Sequence, residues 1–163
     1  MIQIDKIKRT FLTDRDCPGG MACLASIVRF YDERFPLSVF VSDRQPDYTV
    51  TLQHLKELAH GLEFEAEIHL YSLNRLEKLC TPAILFTENE LGENEFVVYY
   101  GMYNGRFVVG EPSFGLMQYL PQEINAMWIR GIILTLFPLS VFYHKEIVCN
   151  EMDTTIINAV NNK

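Results

Sequence analysis

The fold of this chain is decided by residues 16–31, which read DCPGGMACLASIVRFY. Apolar side chains recur at helical spacing in the second part of this stretch, on Ala22, Leu24, Ala25, Ile27, Val28 and Tyr31. This spacing predicts a mostly buried helix from Met21 to Tyr31. The Pro18-Gly19-Gly20 turn precedes it and places Cys17 near the start of the first long helix.

Two further helices are predicted before any strand. Leu37–Ser42 has the pattern of a short helix, and Thr51–His60 is amphipathic, with Leu52, Leu55, Leu58 and Ala59 on one face. Thr51 is a suitable N-cap and Gly61 follows the last turn. The N-terminal part of the chain is therefore expected to be helical.

After Gly61 the apolar residues recur at every second position, as is typical of β-strands. Phe64, Ala66, Ile68 and Leu70 alternate with polar residues, which predicts a half-buried strand. Further strands are predicted at Pro82–Phe86, Glu95–Gly101, Arg106–Val109, Gly115–Leu120 and Gly131–Phe137, with short helices at Ser72–Leu79 and Gln122–Met127. Asn104-Gly105 predicts a hairpin turn. We expect an α+β fold in which N-terminal helices pack on an antiparallel sheet.

The predicted domain boundary follows from a change in amino-acid composition near residue 138. We expect one domain over residues 1–138 and a C-terminal extension or linker over residues 139–163, which ends in a polar, asparagine-rich run. With 163 residues, of which 48% are hydrophobic, the chain is long enough for one ordinary core.

Charge and cysteine usage exclude several classes of protein. The net charge is −7 and the only basic cluster, Lys6–Arg9, is interpreted as a solvated edge, so we expect no nucleic-acid partner. Cys17, Cys23, Cys80 and Cys149 show no zinc-site spacing, and we expect free thiols, no metal and no cofactor. The N-terminus does not resemble a signal peptide, and the longest uncharged stretch, Gly131–Tyr143, is too short to span a membrane. A cytoplasmic location is therefore expected.

A cysteine at the start of the first long helix is the layout of papain-like thiol enzymes. The partial positive charge of a helix N-terminus lowers the pKa of a thiol. In such enzymes a histidine from the later sheet acts as the base, and a third polar group orients it.

The ordered motifs of the chain are similar to those of the double-glycine, bacteriocin-processing cysteine peptidase domains of peptide-exporting ABC transporters. The resemblance covers roughly residues 5–138 and rests on Asp16-Cys17, Ala22-Cys23-Leu24, Phe30-Tyr31, Thr51-Leu52-x-x-Leu55, Gly61-Leu62-x-Phe64, Pro82-Ala83-Ile84, Phe96-Val97-Val98, Glu111-Pro112 and Trp128-x-x-Gly131. It implies a papain-like fold, a leader peptide as partner and a place at the cytoplasmic face of the inner membrane, beside the membrane and nucleotide-binding domains of an exporter.

The chain departs from this family at each catalytic position. Glu95 stands where the resemblance places the histidine, and Glu111 stands where it places the aspartate. Phe11 stands six residues before Cys17, where the family has its oxyanion glutamine. Cys17 matches the nucleophile only across a two-residue insertion, because an alignment without a gap places Gly19 there. Cys17 is therefore a vestigial or alternative nucleophile.

These departures lead to three hypotheses. The first is a catalytically degenerate domain that binds a peptide or leader without cleaving it, because a carboxylate beside a thiol raises its pKa and is a poor base at neutral pH. The alternative is an active cysteine peptidase that uses Cys17 to cleave leader peptides. The third is a purely structural domain. His54, His60, His69 and His144 are scattered, so we expect none of them to contact Cys17.

Overall fold

The computed structural model describes residues 2–41 and 50–139. Five helices lie in these residues: α1 Ile4–Thr10, α2 Gly19–Tyr31, α3 Leu52–Gly61, α4 Leu73–Glu77 and α5 Pro121–Met127. A 3₁₀ turn covers Leu37–Val39. The strands are β1 Phe64–Leu70, β2 Ala83–Glu88, β3 Asn94–Tyr103, β4 Arg106–Glu111, β5 Gly115–Tyr119 and β6 Trp128–Pro138.

The six strands form one sheet in the order β1-β6-β2-β3-β4-β5, and every neighbouring pair is antiparallel. The β3–β4 hairpin turns at Asn104-Gly105, where φ is +50° and +75°. Two successive positive φ angles match the tight hairpin turn that an Asn-Gly pair favours. The predicted hairpin and the α+β architecture are therefore observed.

Each face of the sheet has its own core. On one face, α2 supplies a fully buried row that includes Leu24 and Ile27, and this row packs against Val98 and Tyr100 of β3. On the other face, Leu76 of α4 packs with buried residues of the central strands in a smaller second core. Helices therefore pack on both faces of the sheet, and α2 is the most completely buried helix of the described residues.

Helix α1 was not predicted, because the Lys6–Arg9 cluster was interpreted as a solvated edge. Ile7 and Thr10 are buried within it, and Ile7 belongs to the core beneath α2. A seven-residue helix is not stable by itself in water. Its formation therefore depends on burial of Ile7, which a local pattern cannot reveal.

Strand β1 is buried over only part of its predicted apolar face. Phe64 and Ala66 pack with Leu55 and Ala59 of α3, whereas Ile68 and Leu70 are exposed. A ten-residue helix is about 15 Å long, but seven residues of strand extend about 23 Å. The strand therefore extends past the end of the helix that covers it.

A bulge at the start of β6 shapes the same end of the sheet. Arg130 and Gly131 have positive φ angles, and the carbonyl oxygen of Tyr71 lies where a Cβ on Gly131 would be. Trp128 Nε1 donates to the Ile132 carbonyl across the bulge, at 2.8 Å. Only glycine fits at position 131, because it has no side chain to meet the Tyr71 backbone.

The predicted boundary at residue 138 is not tested, since residues 140–163 lie outside the described part of the chain. The same holds for Cys149 and His144 and for Ser42, the last residue of the predicted second helix. In the described residues, no helix has both the length and the apolar character needed to cross a membrane.

Candidate functional site

The residues singled out in the sequence come together at one end of the sheet, which we call the site end. It comprises the loop over residues 11–18, the first turn of α2, the start of β3 and the end of β4. The Asp14 backbone N–H donates to the Pro112 carbonyl at 2.9 Å, and the Phe11 ring lies where a Cβ on Gly110 would be. The loop before α2 is thus held directly against the end of β4.

Cys17 lies just outside the helix. Helix α2 begins at Gly19 with Pro18 as its N-cap, and the Cys17 side chain is only 3% exposed. The pKa of the thiol is raised to about 11, mainly by burial and also by the charge of the neighbouring Asp16, while Arg29 acts in the opposite direction. At neutral pH, Cys17 is therefore a buried neutral thiol and not a thiolate in the first turn of the helix.

Gly19, the position that aligns with the nucleophile without a gap, opens onto empty space. A Cβ on Gly19 would meet no atom within 4 Å. The neighbouring Gly20 is crowded instead, because its Cβ would lie 3.0 Å from Cδ2 of the Phe96 ring. The first turn of α2 therefore offers space for a side chain at one position, but the residue there carries none.

Glu95 lies at the start of β3 and is held by the turn before it. Its Oε1 accepts a hydrogen bond from Nδ2 of Asn89 at 3.0 Å. The Oδ1 of Asn89 accepts from the backbone N–H groups of Leu91 and Glu93, both at 2.9 Å. Asn89 thus shapes the β2–β3 turn and orients the Glu95 carboxylate; the sequence analysis missed it.

Glu111 is a buried carboxyl group at the end of β4, with 8% of its surface exposed. Its Oε1 accepts a hydrogen bond from the hydroxyl of Tyr119 at 2.9 Å. Burial raises the pKa of Glu111, the Tyr119 hydrogen bond opposes this shift, and the charge of Glu95 adds to it. Tyr119 was also missed, although alternation along β5 places it on the same face as Glu111.

Glu95 and Glu111 lie on the neighbouring strands β3 and β4, and the charge of Glu95 contributes to raising the pKa of Glu111. The cations suggested by the sequence do not bridge them. Arg106 is at the opposite end of β4 from Glu111, about 17 Å away along the strand. Neither Arg106 nor Arg15 forms an ion pair with Glu95 or Glu111 within the described residues.

The described histidines have other partners. His54 is in the N-terminal cap of α3, where its Nδ1 accepts from the Thr51 backbone at 3.4 Å. His60 Nε2 lies 3.0 Å from the Ala66 carbonyl oxygen, and the His69 ring stacks at a tilt on Tyr71. Residues 2–41 and 50–139 also hold no group of three or more His, Cys, Asp or Glu side chains that could bind a metal ion.

An uncovered row of apolar side chains crosses four neighbouring strands beside the first turn of α2. We call it the apolar strip, and it consists of Ile68, Leu70, Ile132, Phe86 and Phe96. Leu70 is paired with Ile132 across β1 and β6, and Phe86 with Phe96 across β2 and β3, with ring centroids 5.5 Å apart. Leu70 is 71% exposed, Ile68 is 37% exposed, and the other three are half-buried. Such a row is suited to contact with an apolar partner.

Comparison with known proteins identifies relatives of this fold. The Peptidase C39 family matches residues 12–140. The structure is similar to the peptidase domain of Streptococcus ComA, a bi-functional ABC transporter of a quorum sensing pathway, with a TM-score of 0.64 and 22% identity over 78% of this chain and 94% of that one. It is also similar to a double glycine motif protease from an AMS/PCAT transporter in complex with its leader peptide, with a TM-score of 0.61 and 23% identity over 73% of this chain and 83% of that one.

A third likeness is to the peptidase domain of Streptococcus mutans ComA, with a TM-score of 0.57 and 21% identity over 79% of this chain and 99% of that one. No curated protein sequence matches the chain. The structural likenesses confirm the predicted fold, a papain-like α+β arrangement of N-terminal helices on an antiparallel sheet.

Proposed function

Because this chain belongs to the peptidase C39 family, we propose that it is a peptidase-like domain that binds a peptide, or the leader of an exported substrate, without cleaving it. The burial of Cys17 is the observation that carries this proposal. A thiol that is 3% exposed cannot meet a peptide carbonyl unless the loop around it moves. A pKa of about 11 leaves very little thiolate at neutral pH.

The rest of the site end supports the loss of cleavage. The described histidines are engaged elsewhere, and the position of the base holds Glu95, whose carboxylate accepts from Asn89. Phe11, at the position of the oxyanion glutamine, has no amide and packs edge-on against Tyr100 with ring centroids 6.4 Å apart. In other enzymes one oxyanion donor contributes about 2.7–4 kcal/mol of transition-state stabilisation.

The apolar strip supports retention of binding. An exposed Leu70 beside half-buried Ile132, Phe86 and Phe96 would be covered by the apolar side chains of a bound segment. The strip ends at Phe96, whose ring lies 3.0 Å from the position that a Cβ on Gly20 would take. A peptide lying on the strip would therefore lead to the first turn of α2. Burial of one leucine side chain contributes about 1.5–3 kcal/mol to such an association.

We also propose that the domain acts with an ABC exporter, either fused to its membrane and nucleotide-binding domains or as a separate chain. Membership of the C39 family supports this setting, as do the solved relatives that are peptidase domains of ABC transporters. The domain would then lie in the cytoplasm, at the membrane face from which the peptide is exported.

The test uses synthetic peptides of about 20 residues with Leu or Ile at every third or fourth position and a C-terminal Gly-Gly followed by a short cargo. Fluorescence anisotropy reports binding and mass spectrometry reports cleavage. We expect binding without cleavage, and Leu70→Asp should weaken binding by about tenfold or more. Leu139→Asp is the matched control, because Leu139 is an exposed leucine beyond the opposite end of β6.

The outcomes separate the proposal from its alternatives. Cleavage that Cys17→Ser abolishes would establish an active cysteine peptidase with Cys17 as its nucleophile. Absence of binding by every peptide would leave a purely structural domain. Binding that is insensitive to Leu70→Asp would show that the apolar strip is not the binding surface.

A further inference from the structure

The β2–β3 hairpin borders the apolar strip and is acidic throughout. Residues 88–95 contain four carboxylates and no lysine or arginine, and these carboxylates are Glu88, Glu90, Glu93 and Glu95. Glu88 follows Phe86 by two positions on β2, so both side chains project from the same face of the sheet. An occupant of the strip would therefore lie beside the Glu88 carboxylate.

The hairpin takes part in neither of two ion pairs formed within residues 2–41 and 50–139, Arg9–Glu33 and Lys56–Glu67. Glu93 and Glu95 share the Asn89 amide, while Glu88 and Glu90 are exposed to solvent. Four carboxylates within eight residues repel one another, and a nearby positive charge would reduce that repulsion.

We propose that the peptide segment that occupies the apolar strip is cationic. Its apolar side chains cover Leu70, Phe86 and Phe96, and its Lys or Arg side chains face the exposed carboxylates of Glu88 and Glu90. This inference rests on the proposed function and names the chemistry of the bound peptide. An acidic peptide with the same apolar pattern would place like charges beside Glu88 and Glu90, so the hairpin selects against it.

The experiment compares three peptides that share one Leu/Ile pattern and carry Lys, Gln or Glu at every polar position. Anisotropy titrations are made at about 0.02 M and about 0.5 M salt, since screening shortens the range of exposed charges. We expect the lysine peptide to bind most tightly and the glutamate peptide most weakly at low salt. The differences should shrink at high salt.

A variant without two of the hairpin charges tests whether the hairpin causes the preference for the lysine peptide. Glu88→Gln combined with Glu90→Gln should weaken binding of the lysine peptide by about fivefold at low salt, and should leave the glutamine peptide unchanged. Glu63→Gln combined with Glu65→Gln is the matched control, because these exposed carboxylates lie at the far end of β1.

The two proposals fail in different ways. If all three peptides bind equally and Leu70→Asp weakens each of them, the preference for a cationic segment is overturned and the binding function stands. If the control pair changes lysine-peptide affinity as much as the hairpin pair does, the selectivity comes from net charge and the hairpin is not its source. If no peptide binds, the proposed function itself is wrong and the inference fails with it.

Discussion

The body of α2 and the site end differ in what surrounds each residue. From Met21 to Val28 every side chain of the helix is buried, and Ala22, Leu24 and Ile27 are completely so. One turn earlier, a side chain at Gly19 would meet nothing. Buried apolar contacts therefore restrict which residues the body of the helix can hold, whereas Gly19 in the first turn faces open space.

This difference bears on how well each region tolerates substitution. The body is fixed by close packing, in which the loss of even one methylene is costly. At the site end, Gly19 has no side chain and faces open space, and the Glu95 carboxylate accepts a hydrogen bond from Asn89 in the adjoining turn. Substitution at Gly19 is therefore expected to leave the helix, and the sheet on which it packs, in place.

The largest effect is expected from truncation of the body. Leu24→Ala removes a fully buried side chain and should lower the free energy of unfolding by about 2–5 kcal/mol. Gly19→Ala, at the first residue of the same helix, should change it by less than about 1 kcal/mol and in the stabilising direction. Urea denaturation followed by circular dichroism measures both. Equal losses in the two variants would remove the distinction between body and first turn.

The next effect concerns the reactivity of Cys17. Its pKa of about 11, against 9.0 for an unperturbed thiol, reduces the thiolate fraction at pH 7.5 by about 100-fold. Iodoacetamide should therefore alkylate Cys17 at least that much more slowly than a free thiol, in a variant where Cys80 and Cys149 are serine. Cys17→Ser in the same background gives the baseline. Labelling as fast as that of a free thiol would favour the active-peptidase alternative.

The smallest effect is the pH dependence due to Glu111. Its pKa is higher in the folded chain than in the unfolded chain, mainly because of burial. Its stabilising contribution is therefore fully present below the unfolded pKa, near 4.5, and is lost as the pH rises through the folded pKa. The stability of Glu111→Gln should therefore rise relative to that of the wild type as the pH increases from 4 to 8.

Denaturation of the wild type and Glu111→Gln at each pH measures this difference, in which the titration of the other carboxyl groups cancels. Tyr119→Phe is the companion variant: it removes the hydrogen bond that favours the ionised Glu111. Its loss of stability should be greater at pH 8 than at pH 4. A difference between wild type and Glu111→Gln that does not vary with pH would show that the site end tolerates the Glu111 charge as well as solvent does.

Most elements of the fold could be predicted because their signals are local. The apolar period of Met21–Tyr31, the Thr51 cap and the Asn104-Gly105 turn each depend on residues close together in the chain, and each is found where it was expected. Helix α1 was not predicted, because it depends on the burial of Ile7 beneath α2, and the local sequence does not show this burial. Strand β1 was predicted correctly, but the exposure of Leu70 depends on where α3 ends above it.

The sequence by itself predicted Cys17, Glu95 and Glu111 as candidate site residues, from their order and spacing in the motifs that carry the resemblance. Their roles as a vestigial site remain proposals. Only the tertiary structure decided that the Cys17 thiol is buried, that Glu111 pairs with Tyr119, and that an apolar strip runs to the first turn of α2. The reason is physical. Spacing along the chain shows the apolar periodicity of each element and the order of the motifs. The burial, exposure and hydrogen-bond partners of a side chain depend on which distant segments cover it.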